Sequence, residues 1–451
     1  MPAPRIIPRA EHGISRKQIS ANALRVLYRL REGGFQAHLV GGAVRDLLLG
    51  GAPKDYDVAT DATPEQVKHL FRNCRLIGRR FRLAHVMFGR EIIEVATFRA
   101  NIDDGSGQRE MDEGRLVRDN VYGSIEDDAV RRDFTANALY YSIEDFSVID
   151  YVGGYEDVRR RVLRLIGDPE SRYREDPVRM LRAVRLSAKL GFEIEHDAAA
   201  AIPRLGALMA TAAPARLFEE ALKLFLSGHG EKSFLTLEAH GLLPALFAET
   251  ATALHEQGEP TRQMLLLALA NTDTRIAEDR PVTPAFLFAA LLWPAYQRTL
   301  AKLLADGIED VVAQQRAADR VTFHQAERIA LPRRFSTPMQ EIWALQPRFL
   351  QRQKKRVFRL LSHPRFRAAY DFLELRTVQE PELAADVAFW RDAQVLPADD
   401  LVARLDPARR VDGEAPTRKR RRRRRRGGGG GADGGSGAAA GGAGEGGQAA
   451  E

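Results

Sequence analysis

The sequence predicts an α+β N-terminal domain built on a small mixed sheet, then all-α domains, then a disordered tail. Three observations predict it. Strand-like runs at 37–40, 56–59, 82–88, 91–98 and 146–152 alternate with helical patterns as far as Asp168. From Asp176 onward the hydrophobic pattern is helical. From about Ala398 the composition loosens, and residues 427–450 are nearly all Gly and Ala, which cannot build a core. The expected boundaries are a flexible arm at 1–16, the mixed domain at 17–168, a first helical domain at 169–230, a helical body at 231–397 and the tail at 398–451.

The elements follow in order. Residues before about Ser15 are rich in proline and arginine and read as an arm. Lys17 to Leu30 has an amphipathic helical pattern. Ala37 to Val40 reads as a short strand that ends in Gly41 and Gly42, and a helix starts near Ala43 with Val44, Leu47 and Leu48 on its apolar face. Tyr56-Asp57-Val58 reads as the next strand, so Asp55 and Asp57, at i and i+2, are expected on one face. The helix at 64–71 has a marked start: Thr63 as N-cap, Pro64 at the first position and Gln66 three residues after the cap. Asn101 to Asn120 reads as a mobile loop between strands. Asp176 can cap a helix that Pro177 opens and Gly191 stops. Pro214 and Thr283-Pro284 mark later helix starts, and Ala285 to Trp293, apolar all round, reads as a central buried helix.

The chemistry concentrates in HLVGGAVRDLLLG, His38 to Gly50, and the aspartates after it. A glycine turn feeding a helix N-terminus offers bare backbone N–H groups to an anion such as a triphosphate. Paired carboxylates beside such a turn suit magnesium held for phosphoryl or nucleotidyl transfer. Alone, Asp-x-Asp is usually a solvated pair and Gly-Gly a turn; strand, Gly-Gly, helix with Arg45-Asp46, then Asp55-x-Asp57 has few bland explanations. Arg45 could contact phosphate, and Asp46 could orient a basic side chain instead. Glu94, which shares a strand face with Ile92 and Ala96, and Asp133 are both candidates for a third carboxylate. Arg179, Arg182 and Arg185 wind a basic stripe around one helix, which by itself suggests a solvated face. His85 reads either as a core histidine or, with Gly78-Arg79-Arg80-Phe81, as part of a nucleotide-restricting strand. Gln351 to Arg359 sets basic groups near Phe349, Phe358, Phe366 and Tyr370, a pattern suited to single-stranded RNA or to a basic face over a buried aromatic core. His196-Asp197 opens an alanine-rich helix, and capping explains it better than a metal-dependent hydrolase pair.

Bulk properties narrow the classes. A chain of 451 residues with 44% hydrophobic content has room for two or three cored domains. No apolar run is long enough to span a membrane, and the N-terminus lacks a secretory h-region. The single cysteine, Cys74, excludes an internal disulfide and fits a reducing cytoplasm. The charge of +7 is carried by Arg418 to Arg426; without these nine basic residues the balance falls from +7 to −2. That run should contact RNA phosphates or another anionic surface.

GGAVRDLLLG followed by KDYDVATDATPEQV resembles the nucleotidyltransferases that extend RNA 3′ ends without a template, the bacterial poly(A) polymerases and tRNA CCA-adding enzymes. RRDFTANALYY at Arg131 to Tyr141, YVGGYEDV at Tyr151 to Val158 and YREDPVRMLRAVRLSAKLGF at Tyr173 to Phe192 extend the match. LIGRRFRLAHVMF, Leu76 to Phe88, and HPRFRAAYDFLELR, His363 to Arg376, resemble the poly(A) polymerase branch. The resemblance implies a nucleotidyltransferase (palm) domain, a helical nucleotide-recognition neck and an RNA-binding body. It implies transfer of AMP from ATP to single-stranded RNA 3′ ends with release of pyrophosphate, in RNA polyadenylation and decay. The alternatives are CCA addition or a non-catalytic RNA-binding protein on the same scaffold. It implies Mg2+ on Asp55 and Asp57, an essential Asp133, and nucleotide contacts from Gly41, Gly42, Arg45, Asp46, Arg132 and Asn137. Asp176 and Arg179 would read the base, with Arg182 on the phosphate side.

Overall fold

The structure, a computed structural model, describes residues 3–78, 82–100, 109–112, 115–119 and 121–405. The chain divides into two compact units, Met1–Pro397 and Ala398–Glu451. In the second, the described part is one helix, Ala398–Leu405. The rest of the tail, including Arg418 to Arg426, lies outside the described residues, as do Arg79, Arg80 and Phe81.

The first unit opens with an eight-stranded sheet in the order β1-β10-β9-β2-β3-β6-β5-β4. Its strands are β1 (Arg5–Ile7), β2 (Ala37–Val40), β3 (Asp57–Thr60), β4 (Cys74–Ile77), β5 (Leu83–Phe88), β6 (Glu91–Thr97), β9 (Leu139–Ser142) and β10 (Val148–Asp150). Within this sheet, among the described residues, only β3 and β6 pair in parallel. Between β6 and β9 lies a hairpin of β7 (Arg109–Asp112) and β8 (Arg115–Asp119), inside the segment expected to be a loop.

Two further expectations are corrected at the N-terminus. The arm is not free: Arg5–Ile7 pairs antiparallel with β10. A one-turn helix, α1 (Arg9–His12), follows, and His12 Nε2 lies 2.9 Å from the Phe146 carbonyl oxygen. The amphipathic helix α2 spans Ala21–Glu32, starting later than its periodicity suggested because Ser20 caps it from the N–H groups of Asn22 and Ala23.

Alternation along the strands gives the sheet two different faces. Leu39, Val58, Ile93 and Val95 point into the main core, where Ala23, Val26, Leu27 and Leu30 of α2 are buried. That core continues through the helices as far as Trp343 and Phe372. On the opposite face a small cluster of Val40, Ala59, Phe98, Ala129 and Tyr140 forms its own core.

Around the sheet stand α3 (Gly42–Leu48), α4 (Pro64–Leu70), α5 (Ile125–Arg131) and α6 (Gly154–Arg160). The Thr63/Gln66 capping box is present in full at the start of α4. The chain then becomes helical: α7 (Pro169–Glu175), α8 (Val178–Leu190), α9 (His196–Leu205) and α10 (Pro214–Phe225). Gly191 stops α8 in the left-handed conformation that glycine adopts at little cost. At α9 the cap is Glu195, whose carboxylate accepts from the N–H groups of Asp197 and Ala198. The buried apolar run splits in two, Pro284–Leu291 and Trp293–Ala305.

Candidate active site

The strand β2 ends at Val40, and Gly41 turns the chain with φ 76° and ψ −136°, a conformation that favours glycine. A Cβ placed on Gly41 would lie 3.6 Å from Arg132 Nη1 and 3.9 Å from Asp57 Oδ2. The turn therefore lies between a guanidinium and a carboxylate. Helix α3 begins at once, so its first N–H groups have no partner within the helix.

Register builds the acidic side. Val40 pairs with Asp57, Asp57 with Glu94, and Glu94 with His85. These side chains form one row on the face opposite the main core. Asp55 lies outside the strand: β3 begins at Asp57, so the expected two-residue strand alternation does not place Asp55. It remains electrostatically coupled to Asp57. Burial, then Glu94, then Asp55 push the Asp57 carboxyl up to about 6, against the pull of Arg132. Asp57 thus lies in a surplus of negative charge. Among the described residues no group of three or more His, Cys, Asp or Glu side chains is close enough to hold a metal ion.

Arginines support the turn. Arg45 is only 3% exposed. Its Nη1 donates to Asn137 Oδ1 at 2.5 Å, and its Nε and Nη2 donate to Asp46 Oδ1 at 2.9 and 2.6 Å. Asp46 is thus the partner that orients Arg45. Arg132 donates to Asp128 through Nε and Nη2, and to the Tyr140 hydroxyl at 3.0 Å; that hydroxyl donates to Asp128 at 2.7 Å. Burial opposes the Arg132 charge, but Tyr140 and Asp128 more than offset it and raise its pKa. Asp128 and Tyr140 are supports that sequence reasoning missed. Asp128 was legible, four residues before Arg132, which directly follows α5.

Clamps hold the Arg131–Asp133 segment against α7 and α8. Arg172 Nη2 donates to the carbonyls of Arg131 and Arg132 at 3.0 and 2.7 Å. Arg182 forks onto Asp133 Oδ2, with Nε at 2.8 Å, while Asp133 Oδ1 accepts the Phe134 N–H. Burial would raise the Asp133 carboxyl, but Arg182 outweighs it and holds the carboxyl below its ordinary range.

The basic stripe on α8 is neutralised rather than solvated. Arg179 pairs with Glu175 at 2.8 Å and donates to the Arg172 carbonyl; Arg185 pairs with Glu220 at 3.1 Å. Asp176 accepts from Arg216 of α10 at 2.7 Å. Asp176 and Arg179 are three residues apart, yet each is fixed by a different neighbour.

This pairing has a sign. A carboxyl lowered in the folded state stabilises the fold above the ordinary carboxylate range, and that contribution is lost as pH falls through the lowered value. Arg182 is 35% exposed, which discounts the pair. Asp133→Asn is expected to cost about 2–3 kcal/mol at neutral pH. Denaturant melts should show that gap narrowing below about pH 4, where the carboxyl of the unfolded parent begins to protonate, and closing as pH falls through the lowered folded value.

His85 is not a core residue: its Nε2 lies 3.4 Å from Glu94 Oε2, with the two side chains 24% and 42% exposed. In the body, Phe349, Phe366 and Tyr370 are buried, while Lys354, Lys355, Arg356 and Arg359 are exposed. No helix among the described residues is long and apolar enough to cross a membrane.

The chain is similar to known proteins over most of its length. Family profiles match at residues 37–164 (Poly A polymerase head domain), 191–254 (Probable RNA and SrmB-binding site of polymerase A) and 306–427 (Polymerase A arginine-rich C-terminus). The chain is 52% identical over 398 residues to Poly(A) polymerase I of Escherichia coli O6:H1, covering 86% of each chain. To the CC-adding tRNA nucleotidyltransferase of Halalkalibacterium halodurans it is 37% identical over 221 residues, 49% of this chain and 52% of that one. Among solved structures, the Bacillus stearothermophilus CCA-adding enzyme in complex with CTP superposes with a TM-score of 0.52 at 27% identity, covering 86% of this chain and 82% of that one.

Proposed function

This chain belongs to the bacterial poly(A) polymerase family, and on that premise we propose how its residues divide the work of transfer. The enzyme is a nucleotidyltransferase that adds AMP from ATP to RNA 3′ ends and releases pyrophosphate.

The observation that carries the assignment is the row Val40–Asp57–Glu94 beside the Gly41 turn, which sets carboxylates next to the first N–H groups of α3, groups with no partner within the helix. Asp55 and Asp57 would hold Mg2+. The fit rests on the charge surplus around Asp57, which a divalent cation relieves. Bound there, Mg2+ would favour the ionised 3′ hydroxyl and neutralise charge on the leaving pyrophosphate. Glu94 would be the better third carboxylate, because Arg182 and the Phe134 N–H already hold Asp133; it would have to close on Asp55 and Asp57 as the metal binds, since the three do not stand close enough together in this structure. Gly42 would offer the triphosphate its backbone N–H at the start of α3, while Gly41, whose N–H donates to the Leu139 carbonyl at 3.4 Å, would shape the turn, with Arg132 charged behind it. Arg45 and Asp46 would keep the Asn137 amide aimed at the nucleotide. Arg182 would keep Asp133 in place and bring positive charge to the phosphate side.

Asp176 would accept from the adenine amino group, and Arg179 would donate to a ring nitrogen. Cytosine also carries an amino donor. One carboxylate therefore cannot separate the two bases by hydrogen-bond type. Distance separates them, and the fixing of Asp176 by Arg216 and of Arg179 by Glu175 holds that distance. The exposed Lys354, Lys355, Arg356 and Arg359 would follow the RNA backbone, and Arg418 to Arg426 would tether it.

The test is radiolabelled ATP or CTP supplied separately to an unstructured RNA. Long incorporation from ATP alone is expected; one or two nucleotides from CTP would favour CCA addition. In the same assay Arg179→Ala is expected to narrow the ATP-over-CTP ratio by at least about ten-fold, with RNA binding little changed. An unchanged ratio would remove Arg179 from base reading.

A further inference from the structure

Resting on the reading of Asp55, Asp57 and Glu94 as the metal face, we infer that His85 is a positioning residue that holds Glu94 in line with Asp57. Register carries the argument. Antiparallel pairing sets His85 opposite Glu94, and parallel pairing sets Glu94 opposite Asp57. Residues paired in this way project from the same face, with Cβ atoms about 4.5–5.5 Å apart across an antiparallel pair. Three polar side chains from three adjacent strands thus stand in one row.

Glu94 needs a restraint there. It is 42% exposed on its side chain, so packing does not fix its torsions, and like charges on neighbouring strands repel. Left to itself the carboxylate would swing from Asp57 toward water. Nε2 of His85, 3.4 Å from Glu94 Oε2, is the nearest group able to hold it. Among the described residues His85 is the one side chain paired with Glu94, and at 3.4 Å the contact is longer than a formed hydrogen bond, close enough to tighten into one when a metal draws on the carboxylate. His85 is itself held by β-ladder pairing on both sides, opposite Glu94 in β6 and opposite Arg75 in β4. A hydrogen-bond donor on a paired strand is a stiffer anchor than one on a loop. Partners that orient a metal-binding carboxylate typically change metal affinity by about 10–100-fold when removed.

The test measures Mn2+ binding to the full chain without ATP or RNA, from the free-ion electron paramagnetic resonance signal. Nucleotide choice is read in parallel. His85→Ala is expected to weaken Mn2+ binding about ten-fold. His85→Gln, whose amide N–H can reach the position of Nε2, should recover most of that loss. The ATP-over-CTP ratio should stay unchanged in both. Unchanged Mn2+ affinity in His85→Ala overturns the proposal, as does an equal loss in both variants. A changed nucleotide ratio with intact Mn2+ binding also overturns it and assigns His85 to nucleotide selection. Asp57→Asn separates the two levels. If Mn2+ binding survives that change, the metal-face reading itself fails, whatever His85 does.

Discussion

Asp55→Ala and Asp57→Ala are each expected to lower AMP transfer at saturating Mg2+ by about a thousand-fold or more, with the fold retained. The loss follows from removing half of the paired charge that would hold the metal beside the Gly41 turn. Retention of the fold follows from the same electrostatics. Burial, Glu94 and Asp55 push the Asp57 carboxyl up to about 6, but the residue is exposed at the start of β3, so water screens much of this charge and the ionised form opposes folding only weakly. A carboxyl raised in the folded state loses stability as pH climbs from the ordinary carboxylate range to the raised value, and keeps that deficit above it. Asp57→Asn should therefore melt no lower than the parent in metal-free buffer at pH 7, with any small advantage shrinking below pH 6. Circular dichroism melts across pH and single-turnover transfer measure the two halves. Near-normal turnover in either alanine variant would remove the metal assignment.

Gly154→Ala is expected to be the most damaging single substitution for the fold. A Cβ there would lie 2.7 Å from the Thr135 carbonyl carbon, nearer still to its oxygen, and 3.3 Å from a Leu139 methyl. Backbone cannot rotate away as a side chain can. Asp150 fixes the turn from the other side, its carboxylate accepting the N–H groups of Val152, Gly153, Gly154 and Tyr155 at 2.9–3.0 Å. Thr135 is equally tied, donating to Asp157 at 2.7 Å. Overpacking typically costs about 1–3 kcal/mol in a yielding core, and this site should exceed that. Thr135 opens the short turn that carries Asn137, so whatever protein still folds should transfer slowly. Thermal melts with an activity assay on the soluble fraction test both effects. Parent-like stability would mean the turn moves freely.

The sheet and its turn were legible where short-range patterns decide structure. Ala37–Val40, the glycine turn, the Thr63 capping box and the Gly191 stop all depend on neighbours within a few residues. β9 was missed because all four of its residues are buried, which erases the alternation that marks a half-exposed strand. β1 was missed because three residues carry no period and its partner is remote. At the site, the aspartates and the arginine stripe were visible, but not what holds them. Arg182 meets Asp133 across 49 residues, and Arg216 meets Asp176 across 40. A one-dimensional pattern shows three arginines on a helix; only the fold shows that each is already matched with an acid.

The pairing of Arg5–Ile7 with Val148–Asp150 also sets an order of events during synthesis. The first strand leaves the ribosome about 140 residues ahead of the strand it joins, a wait of roughly 7–30 s at about 5–20 residues per second. Throughout that interval Ile7, which ends fully buried, has no sheet to enter. Closure of the β10 edge is therefore a late step that joins β1 to a nearly finished domain. Mutations in β1 should change how fast that domain comes apart more than how fast it forms.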